Sequence, residues 1–590
     1  MAVAGFLAGS RQIGRGWLRR WSRFRLTAGV HPTPWTIGTL LAVALVLLPL
    51  VAVLSGLVQG GSETWDHLAA TVLGDYIRNS ALLVVAVGAM TLVIGVPTAW
   101  LVTVYDFPGR RVFEWALILP LAIPTYIIAY TYAQMLGHAG PVQRLLQVAL
   151  EPATTAGLRT SLMSLPGAAL LISLVLYPYV YLITRSAFLR QSGGILESAR
   201  ILGKSPGATF REVALPLARP GIVAGLTLVL MEVLNEYGAV RYFGVSTFTT
   251  GIFRAWFSLG DPPAALRLST LLLLFVFLLV ILERTQRGRA RFDDGSSRPR
   301  PVVRYSLRGW KRMGAFTLCA APLLLGFILP VLQLLHWATQ VTPDLLDPRF
   351  LRLTLNSFGL GFAAALLTVS VGLLIVYATR LSPAPLLRWA ARSATLGYSI
   401  PGAVLAVGTL IPFIWLDRQV ALLVRNLTGN SIGLLLTGTL GALLFAYLVR
   451  FLAVALNPID SGFERTCRNV DEAARSLGTP PLRTLLRVDI PLLRGAILTA
   501  GLLVFVDVLK ELPLTLILRP FNFDTLATRA FQLAMDEQVA RSSLPALLII
   551  LTGLVPILIL SRLIRGEREG GSVGEDTLVP ALPTPHDPAR

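Results

Sequence analysis

Twelve stretches of this sequence are too apolar, over too great a length, to be shielded by anything but lipid. They lie near 36–58, 79–104, 112–135, 163–186, 220–240 and 264–283, then near 314–337, 356–378, 388–413, 431–456, 494–515 and 543–562. About 20 apolar residues carry a helix across the hydrocarbon core. Inside that core the backbone must satisfy itself, which helices do and open sheets do not. The fold class is therefore an all-α polytopic membrane protein with about 12 transmembrane helices in two tandem sets of six. Only 14% of the residues are charged, against about 25% in soluble domains.

Arginine dominates the net charge of +20, and Lys204, Lys311 and Lys510 are the lysines. In a soluble chain this charge points to nucleic acid. Here it sits mostly between apolar runs, where it sets topology and meets anionic lipid, so no nucleic-acid partner is expected. The segments 1–35 and 284–312 are both Arg-rich and are separated by six runs. Both belong on one side, and the positive-inside rule makes that side the cytoplasm. The first run is too long for a signal-peptide core and reads as a retained span. The expected organisation is a basic N-terminus (1–35), a first half (36–283), a linker (284–312), a second half (313–562) and a disordered cytoplasmic tail (563–590). With two cysteines, Cys319 and Cys467, neither a disulfide scaffold nor a cysteine metal cluster is expected.

The halves are copies. Residues 197–222 and 472–497 are identical at 12 of 26 positions without a gap. Shared are Glu197/Glu472, Ala199/Ala474, Gly203/Gly478, Pro206/Pro481 and Pro216/Pro491. Upstream, Asn79-Ser80 recurs as Asn356-Ser357, and Ile123-Pro124 as Ile400-Pro401. Six spans per half keep the copies in the same orientation, so this is a parallel internal duplication. Each 26-residue copy follows the fourth run of its half and is expected in the cytoplasm.

Periodicity predicts a helix ending at Gly203 or Gly478, glycine being the usual C-terminal cap. A second short helix starts at once. Ser205-Pro206 gives its cap and first residue, and Thr479-Pro480 does so one residue earlier in register. That helix is expected to end near Val213 or Val488, with Pro216 and Pro491 beyond it. Each half thus holds out a helix, a glycine turn and a second helix.

These residues carry a resemblance. Glu197-Ser198-Ala199, Gly203, Val213 and Leu215-Pro216, and again Glu472-Ala473-Ala474, Gly478, Val488 and Ile490-Pro491, resemble the cytoplasmic EAA signature of permease subunits of bacterial ABC importers. Ser198, Val213, Val488 and Ile490 depart from it by modest changes in size. The resemblance covers nearly the whole chain as a fused pair of six-helix permease domains, most like ferric-iron permeases, with thiamine permeases as near relatives. It implies a multi-pass protein of the bacterial inner membrane with both termini in the cytoplasm, and no catalysis in this chain. It also implies a periplasmic binding protein that delivers substrate. Two copies of a separate ATPase would bind ATP and Mg and grip the elbows at 203–213 and 478–488. No GxxxxGK[ST] loop is present in this chain.

Charges within the runs follow each elbow. Glu232 and Glu236 are four apart, as are Asp507 and Glu511 at the aligned positions, with Lys510 between them. Four-residue spacing places each pair on one helix face, and acids at this depth face a bundle interior or a wet path. Two readings stay open: the acids line a cation path, or they pair with Lys510 or Arg241 and hold the halves together. No resident metal site is expected. On the outer side, Thr250 with Arg254 aligns with Thr525 and Arg529, as a gate or a docking surface. An ion-coupled secondary carrier is the rival class; it leaves the twin elbows without a purpose.

Overall fold

The computed structural model describes residues 33–58, 60, 62–137, 140, 163–191, 193–287, 304–341, 347–382, 384–431, 433–465 and 468–569. Among them, ten helices are long and apolar enough to cross a membrane, and two bent helix pairs bring the number to 12 if each pair is one span. The Arg-rich start, Cys467, the middle of the linker and the tail beyond 569 lie outside the described residues. The last helix, Val539–Glu569, continues beyond 562.

Proline explains where the spans depart from the simple hydropathy reading. The third run was expected as one span over 112–135. It is two helical pieces, Arg110–Ala122 and Thr125–Met135, bent by 90°. Proline removes a backbone donor and drives the residue before it out of the helical region. Ile123 is accordingly extended at φ −95°, ψ 119°. Ile400, at φ −86°, ψ 126°, repeats this conformation ahead of Pro401 and the helix Gly402–Thr428. The duplicated Ile-Pro is therefore a break, and the ninth span begins at it instead of running through it.

The fifth run differs as well. The helix that starts at Pro206 does not stop near Val213. It passes through a π turn, Phe210–Ala214, and continues as Leu215–Asn235. Pro216 is thus inside the helix, where the wider turn absorbs its missing N–H. The second copy has the same π turn, Leu485–Asp489, ahead of Pro491, but there the chain bends by 80° before Arg494–Lys510.

The halves are interlocked. The first span, Pro34–Leu54, packs on Gly402–Thr428 of the second half, while Leu329–Gln340 packs on Thr125–Met135 of the first. Glycine permits this approach at two crossings. A Cβ on Gly408 would lie 2.6 Å from the Pro49 carbonyl, and one on Gly326 would lie 2.6 Å from the Leu174 carbonyl. The end of the linker is also pinned: Tyr305–Ser306 pairs in parallel with Tyr105–Asp106.

Candidate functional site

Each elbow is a helix closed by a left-handed glycine. Gly203 has φ 81° and Gly478 φ 74°, a conformation costly for residues with a Cβ. The Lys204 N–H donates to the Ala199 carbonyl at 3.1 Å, and the Thr479 N–H to that of Ala474 at 3.0 Å. These bonds back over the glycine satisfy carbonyls the helix end leaves open. Ser205 caps the next helix, accepting from the Ala208 N–H at 3.3 Å. The second copy starts at Pro481 with Pro480 as its cap residue. It is thus in register with the first, and Thr479 is not the cap.

The elbow tips are apolar and bare. Ile201, Leu202 and Leu477 are 85%, 82% and 84% exposed. Behind them the supports are specific. The Arg200 guanidinium lies 3.4 Å from the centre of the Tyr305 ring, and the Tyr377 hydroxyl donates to the Pro481 carbonyl at 2.8 Å. Ala199 is buried, Glu197 partly buried and Glu472 exposed.

At the breaks a cavity of about 110 Å³ opens between the halves. Glu232, Glu236, Asp507, Lys510 and Glu511 all line it. Their roles differ. The helices end at Asn235 and Lys510, so Glu236 and Glu511 sit in extended backbone, at ψ 123° and 122°. Each then caps the short helix that follows. The Ala239 N–H donates to Glu236 Oε1 at 2.7 Å, and the Leu514 N–H to Glu511 Oε1 at 3.2 Å.

The other oxygens are met asymmetrically. In the first half the Thr125 hydroxyl donates to Glu236. In the second half Gly402 stands at the place of Thr125, and Arg450 reaches Glu511 across 3.4 Å. A Cβ at Gly402 would lie 2.7 Å from Glu511 Oε1. Lys510 pairs with Asp507 at 2.9 Å, while Arg241 is exposed and does not line the cavity. The acids thus differ in their partners, and both ion pairs lie within the second half. Asp507 and Glu511 are ion-paired, Glu236 is hydrogen-bonded, and Glu232 lines the cavity with no hydrogen bond or ion pair among the described residues. Tyr126, Tyr179 and Tyr398 add further oxygens to the wall, and the Tyr126 hydroxyl is buried without a partner among the described residues. The halves meet here directly, the Gly402 N–H donating to Asn235 Oδ1 at 2.7 Å.

Arg450 was the residue missed. It is the single charge inside the run 431–456, and a lone arginine at that depth is itself a signal of a buried partner. Breaking such a pair from one side costs about 3–5 kcal/mol. Arg450→Met should therefore lower the unfolding temperature of the purified protein by several degrees, and adding Glu511→Gln should recover most of it. An unchanged melting curve for Arg450→Met would show that the pair is not structural.

The outer residues are not equivalent across the repeat. Thr525 is a cap residue whose partner is Thr528, whereas Thr250 is the partner of the cap Thr247. Equivalent positions are thus Thr247 with Thr525 and Thr250 with Thr528, a spacing of 278. The match of Thr250 to Thr525, and of Arg254 to Arg529, is shifted by three residues. Arg254 and Arg529 are both exposed. The duplicated Asn-Ser does converge: Ser80 accepts from the Phe248 N–H at 3.2 Å and Ser357 from the Leu526 N–H at 2.7 Å. Among the described residues, no group of three or more His, Cys, Asp or Glu could hold a metal ion.

Residues 91–289 match the family model described as "Binding-protein-dependent transport system inner membrane component". The chain is 26% identical over 539 residues to the Fe(3+)-transport system permease protein FbpB 2 of Haemophilus influenzae, covering 90% of this chain and 99% of that one. It is 25% identical over 586 residues to the probable ABC transporter permease protein y4fN of Sinorhizobium fredii, covering 91% and 96%. It is 31% identical over 212 residues to a probable molybdenum ABC transporter permease protein of Haloferax volcanii, covering 35% and 74%.

Proposed function

We infer the function from one premise: the chain belongs to the binding-protein-dependent inner membrane components, the permease subunits of ABC importers. It is a multi-pass, non-catalytic transport subunit. The finer reading is that its cargo is ferric iron, released from a periplasmic binding protein and passed between the halves to the cytoplasm. Both termini are then cytoplasmic. Two copies of an ATPase dock on the elbows at Gly203 and Gly478, and hold the ATP and Mg that this chain does not bind.

The observation that carries the cargo reading is the cavity at Glu232. Its wall offers carboxylate and phenol oxygens, the donors a hard cation takes. Its volume has room for several waters. Among the described acids of the wall, Glu232 alone is left over from internal pairing, so the wall attracts a cation without chelating it. A conducting site must bind weakly enough to release. The similarity to the Fe(3+) permease supports the same reading.

The elbows supply the drive. Their exposed Ile201, Leu202 and Leu477 suit a partner's cleft, apolar anchors being what interfaces bury at their centres. ATP-driven closure of the partner then shifts the population between inward- and outward-open states.

The test is uptake of labelled ferric iron by proteoliposomes holding the permease and its ATPase, with iron-loaded binding protein outside and ATP at the ATPase. Uptake that requires ATP and is not competed by thiamine is expected. Thiamine or oxyanion uptake with no iron uptake would refute the cargo. Iron uptake driven by a proton gradient without ATP would favour a secondary carrier.

A further inference from the structure

We propose that a hollow at the end of the second half away from the elbows is a phosphate site, filled by the head group of an anionic phospholipid. The hollow has a volume of about 360 Å³. Its position follows from the helix Pro348–Leu381, whose 34 residues extend about 50 Å. Near the C-terminal end of this helix, Tyr377 touches the elbow at Pro481, and Arg380 donates to the Phe463 carbonyl at 2.8 Å. Its N-terminal end, with Arg349 and Arg352, forms the hollow at the opposite side.

Three helices start around this space: Pro348–Leu381, Leu526–Met535 and Val539–Glu569. Each brings arginine to its first turns, Arg349 and Arg352 on the first, Arg529 on the second and Arg541 on the third, and all four line the hollow. A helix N-terminus is already positive, and cations placed there are unfavourable unless an anion joins them. The two acids in the wall do not meet this need. Asp347 is occupied in capping its own helix, accepting from the Arg349 N–H at 2.9 Å. Asp524 is paired with Arg519. Arg349, Arg352 and Arg529 have no carboxylate partner among the described residues. Arg541 reaches Gln538 at 3.4 Å.

The floor separates a lipid from a free oxyanion. Leu533 and Leu544 line it as buried residues, and Phe350 and Leu353, in the first turns of a membrane helix, line it partly exposed. A free phosphate gains nothing from Phe350 and Leu353, whereas a phospholipid covers them with its glycerol and upper acyl carbons. Basic pockets between membrane helices bind head groups in this way.

The test is thermal unfolding of the full chain in neutral detergent with added phosphatidylglycerol, phosphatidylcholine or inorganic phosphate. Phosphatidylglycerol should raise the unfolding temperature and phosphatidylcholine should not. The triple variant Arg349→Gln, Arg352→Gln, Arg529→Gln should melt as the parent does in phosphatidylcholine. It should need at least about tenfold more phosphatidylglycerol for the same rise. Should the triple variant fail to fold, Arg529→Gln alone reads the same shift in smaller measure. An equal rise with inorganic phosphate, lost in the variant, would overturn the lipid as the source and keep the phosphate site. An equal phosphatidylglycerol response in parent and variants, or none in the parent, would overturn the site itself.

Discussion

Valine at both Gly203 and Gly478 should stop uptake while the complex still hydrolyses ATP. Nothing lies within 4 Å of a Cβ built at either site, so the effect is not a clash. It comes from the backbone: at φ 81° and 74° a residue with a Cβ costs about 1–2 kcal/mol, and a β-branched one is an outlier there. At two sites the strain is at least about 2 kcal/mol, roughly thirtyfold in an equilibrium. The strain is relieved when the elbow opens, which removes the fixed angle between Gly193–Ile201 and Pro206–Thr209. The protein should remain inserted and abundant, because neither glycine packs against a span. Asparagine at both sites is the control: it tolerates the left-handed region and should keep most of the coupled uptake. Normal coupled uptake by the double valine variant would remove the glycine turns from the coupling machinery.

Glu232→Gln should lower ferric-iron uptake by about tenfold or more with little change in abundance. The substitution keeps the shape and removes the charge that the cavity wall does not use internally. The loss of one oriented charge contact with a cation is worth at least about 1.4 kcal/mol, which is tenfold. The other acids should behave differently. Asp507→Asn leaves Lys510 without its 2.9 Å partner, so abundance and uptake should fall together. Glu236→Gln can still accept from the Ala239 N–H through its carbonyl oxygen and donate from its amide to the Thr125 hydroxyl, so its effect should be milder than that of Glu232→Gln. The readout is uptake per molecule of permease, from labelled iron and quantitative blotting. Parallel loss of uptake and abundance in Glu232→Gln would assign this residue to packing.

What the sequence revealed about fold and site followed from local chemistry. Gly203 and Gly478 could be read as helix ends because only the residue's own backbone matters there. The Ile-Pro pairs carried their break in the same local way, although the apolar run around them suggested an unbroken span. The division among the acids was not legible. It depends on Thr125 facing Glu236 and Arg450 facing Glu511, partners 111 and 61 residues away that no periodicity connects. The shift from Thr250/Thr525 to Thr247/Thr525 was hidden because the loop ahead of the second cap is longer, so the spacing of 275 held through the elbows gives way to 278, which Arg241/Arg519 and Phe243/Phe521 already share. The exchange of first spans was hidden for a broader reason. Hydropathy says that Pro34–Leu54 needs an apolar neighbour, and both halves offer one.

The twin elbows are held to move the two halves, and their separation can be measured. Ser198 and Ala473 are small, exposed and aligned across the repeat. Spin labels at cysteines placed there, in a background lacking Cys319 and Cys467, report the elbow-to-elbow distance by pulsed electron resonance in the complex with the ATPase. The distance should shorten when ATP is bound and lengthen again after hydrolysis. An identical distance distribution in both nucleotide states, in a complex that still imports iron, would contradict coupling through the elbows.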